Sequence, residues 1–140
     1  MSNINFKKLQ TIQNAAAKLI LKKRKYDHAT PLLKQLHWLP VKARCDYKIA
    51  VMAYKFFDGT LPSYLSKTLS ARCPSRNLRS STEHFLILPK TNLKHFGERS
   101  FNFTAPKIWN HLPRHLRHAC SLGVFKKNLK TYMFKKHFNG

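Results

Sequence analysis

The run "IWNHLPRHLRHAC" at residues 108–120 concentrates the side chains best suited to chemistry: His111, His115, His118 and Cys120. Imidazole and thiolate are zinc ligands, but a zinc site takes about four of them in a tetrahedral array, usually from two separated pairs. Here all four lie on one run with no second pair nearby. Pro113 breaks the helix that would align His111 with His115, and Arg114 and Arg117 would set positive charge beside the cation. The run is therefore read as titratable charge added to a basic surface, with Ile108, Trp109, Leu112 and Leu116 facing inward. No metal is expected.

The carboxylates point the same way. Asp27, Asp46, Asp58, Glu83 and Glu98 are all isolated. Two-metal phosphoryl transfer needs acids converging on cations about 3.5–4 Å apart, and there is neither an Asp pair nor a D-x-D here. Gly59, Gly97, Gly123 and Gly140 stand alone, so no glycine-rich phosphate loop exists. No motif supports a Cys–His nucleophile, and Cys45 reads as a core residue on the apolar face of a helix. No catalytic residue, cofactor or small-molecule substrate is expected.

What remains is charge. The chain of 140 residues carries 27 Lys and Arg against 5 Asp and Glu, a net charge of +22. Self-repulsion on this scale favours an anionic partner, and for a folded basic chain nucleic acid is the natural candidate. The candidate phosphate contacts are Lys22, Lys23, Arg24 and Lys25 in "KKRKY", Arg72, Arg76 and Arg79 in the loop "RCPSRNLRSS", and Lys126, Lys127 and Lys130 on a C-terminal helix. Arginine suits phosphate because its planar fork donates two hydrogen bonds at once. The "KKRKY" run also fits a nuclear-import signal or a solvated helix end. Trp38, Trp109, Tyr47, Tyr54 and the phenylalanines are candidate base-stacking platforms, but most stand at core spacing. Phe56, Phe57, Trp109 and Phe125 read as core, and Trp38 as the seal of a helix junction.

Three cysteines, Cys45, Cys73 and Cys120, are too few and too scattered for a disulfide framework, so a reducing intracellular setting is expected. Lys7, Lys8 and Lys18 interrupt any secretory apolar region. The longest apolar run, "IAVMAY", is far short of a membrane span. A membrane partner is not expected, and the nucleus is the expected location.

These groups must be positioned by helices. The pattern predicts one mainly α-helical domain with room for a short β-hairpin near 85–96. A first helix over about 3–25 would turn Phe6, Leu9, Ile12, Ala16, Leu19 and Ile20 inward. Thr30 and Pro31 would open a second helix. Pro40 would open a third, with Val41, Cys45, Ile49, Met52 and Phe56 on its core face and Gly59 as a left-handed cap. A short helix follows from Pro62 to about Leu69, then a loop over 70–82. "HFLILP" (84–89) reads as a strand that could pair with "LKHF" (93–96). Helix returns from Glu98, is interrupted at Pro106 and continues through "PKIWNHL", and Pro113 starts one further turn. Ser121 would cap a last helix with Leu122, Phe125, Leu129 and Met133 inward and its lysines outward.

Four ordered segments carry a resemblance: "LQTIQNAAAKLIL", "DHATPLLKQLHWLPVKARCDYKIAVMAYKFFDGTLPSYLS", "RNLRSS" and "FGERSFNFTAPKIWNHLPRHLRHACSLGVFKKNLKTYMF". From about Leu9 to Phe134 the chain resembles the C-terminal end of LINE-type (non-LTR, jockey-like) retrotransposon polyproteins. That segment follows the palm and thumb of the reverse transcriptase. The resemblance implies a parent with endonuclease and RNA-directed DNA polymerase activities. It does not imply those activities here, because the family's catalytic box contains Asp-Asp and this sequence has no such pair. It implies an accessory basic helical module that holds template RNA or target DNA.

Two other readings stay open. One is a protein-interaction module docking on the polymerase core, for which an exposed apolar patch would be the sign. The other is the translation of a truncated element copy with no selected function.

Overall fold

The computed structural model describes residues 3–72, 84–91 and 97–138. Among these the chain is mainly helical, with α1 (Asn3–Ile20), α2 (Ala29–Gln35), α3 (Val41–Phe57), α4 (Ser63–Ser66), a 3₁₀ turn (Gly97–Arg99), α5 (Phe101–Asn110), α6 (Arg114–Arg117) and α7 (Leu122–Phe138). It divides into two compact units, residues 1–47 with 130–140, and residues 48–129, so the boundaries fall inside α3 and α7.

Three helices end in the same way. After α1, Lys22 takes a left-handed conformation (φ 51°), with Lys22 N–H donating to the Leu19 carbonyl (3.2 Å) and Lys23 N–H to that of Lys18 (2.9 Å). After α2, His37 does the same (φ 53°), with His37 N–H on the Lys34 carbonyl and Trp38 N–H on that of Leu33. After α3 the left-handed residue is Gly59 (φ 72°), with Thr60 N–H on the Lys55 carbonyl, as its glycine predicted. These paired bonds satisfy carbonyls that a helix end leaves open. The first helix thus stops at Ile20, not near residue 25, because the chain turns at Lys22.

In the first unit Ala17, Leu32 and Leu33 form the buried core, with Leu21, Leu36, Trp38 and Phe138 packed against it. Trp38 therefore does lie at a helix junction. Two glutamines set the face of α1. The Gln13 amide donates to the Leu39 carbonyl at 2.9 Å, and Gln10 Oε1 accepts from Val41 N–H at 2.9 Å. Val41 opens α3 directly after Pro40, which has no side-chain oxygen to cap the helix, so α1 supplies the acceptor. Gln10 also donates to Gln13 Oε1 (3.0 Å) and Asn14 Oδ1 (2.8 Å), which fixes the amide orientations.

Docking through Gln13 and Ala17 rotates the inner face of α1 away from the predicted one, of which only Phe6 and Ala16 are half-buried. Leu9, Ile12 (66% exposed), Leu19 (79%) and Ile20 (56%) face solvent. In α2 the helix opens at Ala29 after His28, ahead of the Thr30–Pro31 start read from sequence.

In the second unit α3 buries Ala50, Val51, Ala53 and Tyr54. This is the opposite side from the predicted Val41–Cys45–Ile49–Met52–Phe56 face; Met52 is exposed and Phe56 only half-buried. The rings explain the choice. Tyr54 stacks on Phe125 at 4.5 Å between centroids and meets Trp109 edge-on at 6.4 Å, while Phe57 stacks on Trp109 at 5.3 Å. Tyr54 also donates its hydroxyl to the Ala119 carbonyl at 2.9 Å, so its polar end is satisfied.

Residues 84–91 form no strand. Leu86 makes a single antiparallel bridge with Ala71. Its N–H donates to Asn110 Oδ1 (3.0 Å) and its carbonyl accepts from Asn110 Nδ2 (2.8 Å), so one side-chain amide of α5 takes the place of a neighbouring strand. Trp109 Nε1 donates to the His84 carbonyl at 2.6 Å. The proposed partner strand, 93–96, lies outside the described residues. Pro106 does not interrupt its helix either: α5 runs through it from Phe101 to Asn110, with the ring buried in the core.

The sequence pattern matches the structure best at the C-terminal end. Pro113 precedes α6, Ser121 Oγ accepts from Val124 N–H (3.3 Å) at the start of α7, and Phe125 and Leu129 are fully buried. Leu122 and Met133 are half-buried on the same side.

Candidate nucleic-acid interface

The densest cation cluster is built by the end of α1. The left-handed turn at Lys22 reverses the chain and throws Lys22, Lys23, Arg24 and Lys25 outward, all exposed. The turn is held from both sides. Lys18 Nζ reaches forward to the Lys25 carbonyl at 2.5 Å, and Asp27 Oδ2 accepts from Arg24 N–H at 2.8 Å while Asp27 N–H donates to the Arg24 carbonyl at 3.2 Å. Asp27, the carboxylate nearest in sequence, is thus occupied by backbone. Tyr26 projects from the same turn, 89% exposed. The sequence pattern did not single out Tyr26. The signal was there, an aromatic closing a run of four cations in a stretch with no apolar period.

The second cluster lies on α7, where Lys126, Lys127 and Lys130 are exposed at spacings that place them on one side of the helix. No Asp or Glu occurs between Ser121 and Gly140, so the helix carries no acid of its own. Lys136 stands 6.0 Å from the Tyr132 ring centroid on the same helix. Of the loop arginines, Arg72 is exposed, with its N–H on the Phe85 carbonyl (2.9 Å); Arg76 and Arg79 lie outside the described residues. Lys22 to Lys25 belong to the first unit and Arg72 to the second.

The histidines do not converge. His111, His115 and His118 are all exposed, and the helix breaks between Asn110 and Arg114. His111 Nδ1 contacts the Lys107 carbonyl at 2.6 Å, while His118 stacks on His84 at 4.8 Å, which in turn stacks on Phe57 at 5.0 Å. Ring faces at these separations are packing contacts. Among the described residues no group of three or more His, Cys, Asp or Glu side chains is placed to hold a metal ion. Ile108 is half-buried and Trp109, Leu112 and Leu116 are buried, which is the inward set expected.

Arg117 is a departure. Its place among the histidines marks it as surface charge in the sequence. Its side chain is buried, with the guanidinium 4.1 Å from the Phe85 ring centroid and Nε donating to the Leu112 carbonyl at 3.2 Å. It pins residues 84–91 to α6 by cation–π contact, and phosphate has no access to it.

Among the groups with perturbed protonation, Asp46 is held above the usual aspartate range because burial outweighs the attraction of Lys42 and Lys136. Burial raises Tyr47 as well. It also raises Tyr54, with Asp58 and Cys120 adding to the effect. Of the three, Asp46 interacts with a cation of α7, Lys136.

Among the described residues no helix is long and apolar enough to cross a membrane. Compared with protein-family models, curated proteins and solved structures, the chain matches none.

Proposed function

We propose that the chain binds RNA or DNA through phosphate contacts, as the non-catalytic C-terminal segment of a LINE-type retrotransposon reverse-transcriptase protein, acting in the nucleus. The observation that carries the binding reading is the exposed, acid-poor cation clusters at Lys22–Lys25 and on α7, in a chain of net charge +22. Binding releases counterions condensed on the nucleic acid, so affinity comes mainly from phosphate and hardly from base identity. The assignment to a retrotransposon rests on the resemblance of residues from Leu9 to Phe134, and the absence of polymerase activity on the isolated acids. Replacing Lys22, Lys23, Arg24 and Lys25 together with Gln should weaken binding to every sequence alike. The salt slope should fall by about one unit for each phosphate that the variant no longer neutralises. An unchanged slope would remove this cluster from the interface.

A second reading is favoured by the outward stripe of Leu9, Ile12, Leu19 and Ile20 on α1. A run of exposed large apolar side chains is the mark of a protein-binding surface, and a module docking on a polymerase core would use one. Changing Ile12 and Leu19 to Gln should then abolish association with a reverse-transcriptase core while sparing nucleic-acid affinity. Equal association before and after the change would count against it.

A further inference from the structure

Tyr26 gives the Lys22–Lys25 turn a property that phosphate binding alone does not need. Its ring is 89% exposed and stands at the end of four successive exposed cations. The turn is not a slack loop. It is fixed by the Lys22 and Lys23 bonds back into α1, by Lys18 Nζ on the Lys25 carbonyl and by the Asp27 carboxylate on Arg24 N–H. Lys22 adopts a left-handed backbone (φ 51°) that turns the chain at the end of α1. An exposed ring beside a fixed row of cations matches one repeating chemistry, a planar base on a phosphate backbone. A duplex hides its base faces by stacking, whereas a single strand can lay an unpaired base on a tyrosine ring.

We infer that residues 22–26 form a binding site for single-stranded nucleic acid, in which Lys22, Lys23, Arg24 and Lys25 track the phosphates and Tyr26 stacks on an unpaired base. The inference rests on the phosphate-binding reading above and adds strand selectivity to it. RNA and DNA single strands share this chemistry, and both serve as probes.

The test measures affinity of the full chain for oligouridine, oligothymidine and a duplex of equal length, across a salt series, for the wild type, Tyr26→Ala and Tyr26→Trp. Tyr26→Ala should weaken both single strands by about five-fold or more, the loss of one stacked base, and leave the duplex and all salt slopes unchanged. Tyr26→Trp should retain single-strand affinity, with its indole fluorescence quenched on binding. Equal losses on single strand and duplex, or no loss on either, overturn the stacking role while salt-dependent binding by the wild type leaves the phosphate reading standing. Salt-independent binding, or none, overturns both.

Discussion

Tyr54 shows how much one side chain settles in this protein. Its ring stacks on Phe125 and its hydroxyl donates to the Ala119 carbonyl, so it is satisfied at both ends. Tyr54→Phe keeps the ring and leaves that carbonyl without its donor, at a cost of about 1–2 kcal/mol in denaturant unfolding; an unchanged midpoint would mean that the bond does not form in solution. Phe125→Ala removes a fully buried ring and should cost about 3–5 kcal/mol, whereas Phe56→Ala, only half-buried, should cost clearly less. Lys22→Gly should change stability by less than about 1 kcal/mol, since relief of the left-handed backbone is offset by the greater freedom of glycine in the unfolded chain. A loss well beyond that would show that the turn is not left-handed. Most individual core residues at the C-terminal end were legible from spacing: Trp109, Leu112, Leu116, Phe125 and Leu129. Tyr26 and Arg117 were not, because whether an aromatic is exposed or a guanidinium lies over a ring depends on partners distant in sequence.

At the scale of elements, the boundaries follow local chemistry and the faces do not. Gly59, Pro113 and Ser121 mark their turns and caps in sequence as they do in three dimensions. The buried face of α1 is rotated from the predicted one and that of α3 is opposite to it, for a physical reason. Periodicity finds the side richest in aliphatic residues, but α1 docks through the hydrogen bonds of Gln10 and Gln13 and the small Ala17, and α3 through its rings and alanines. The strand expected at 84–89 fails because Asn110 satisfies Leu86 from a helix, a pairing no local pattern announces. If the orientation of α1 is correct, Ile12→Gln and Leu19→Gln should each shift unfolding by no more than about 0.5 kcal/mol, while Gln13→Ala should be destabilising because the Leu39 carbonyl loses its donor. Asp46 on α3 offers a pH test. Its raised protonation midpoint means that the folded state binds the proton more tightly than the unfolded chain does. Its contribution to stability is therefore present below the ordinary aspartate value of 3.8 and is lost as pH rises through the raised value. Asp46→Asn should melt higher than wild type at neutral pH, with the difference vanishing in acid. A variant that melts lower at neutral pH would instead make attraction to Lys42 and Lys136 the dominant effect.

For the whole molecule, charge is the feature that function must answer to. With 27 basic and 5 acidic side chains, the chain folds against its own repulsion and gains from any polyanion that binds the native state. The proposed role follows from that excess together with the resemblance, and the mainly helical class was legible from sequence. Of the cations that the sequence singled out, Lys22–Lys25, Arg72 and those on α7 are exposed, and Arg76 and Arg79 lie outside the described residues. The same reading predicts no primer extension with template, dNTPs and magnesium; extension abolished by changing one of the five acids would refute it. The most direct measurement is the Kd of the purified chain for RNA and DNA oligomers of several sequences across a salt series. Phosphate-driven binding predicts a straight log–log plot falling by about 0.7 per neutralised phosphate on single strands and about 0.9 on duplex, with little spread among sequences. An affinity insensitive to salt, or confined to one base sequence, would contradict it.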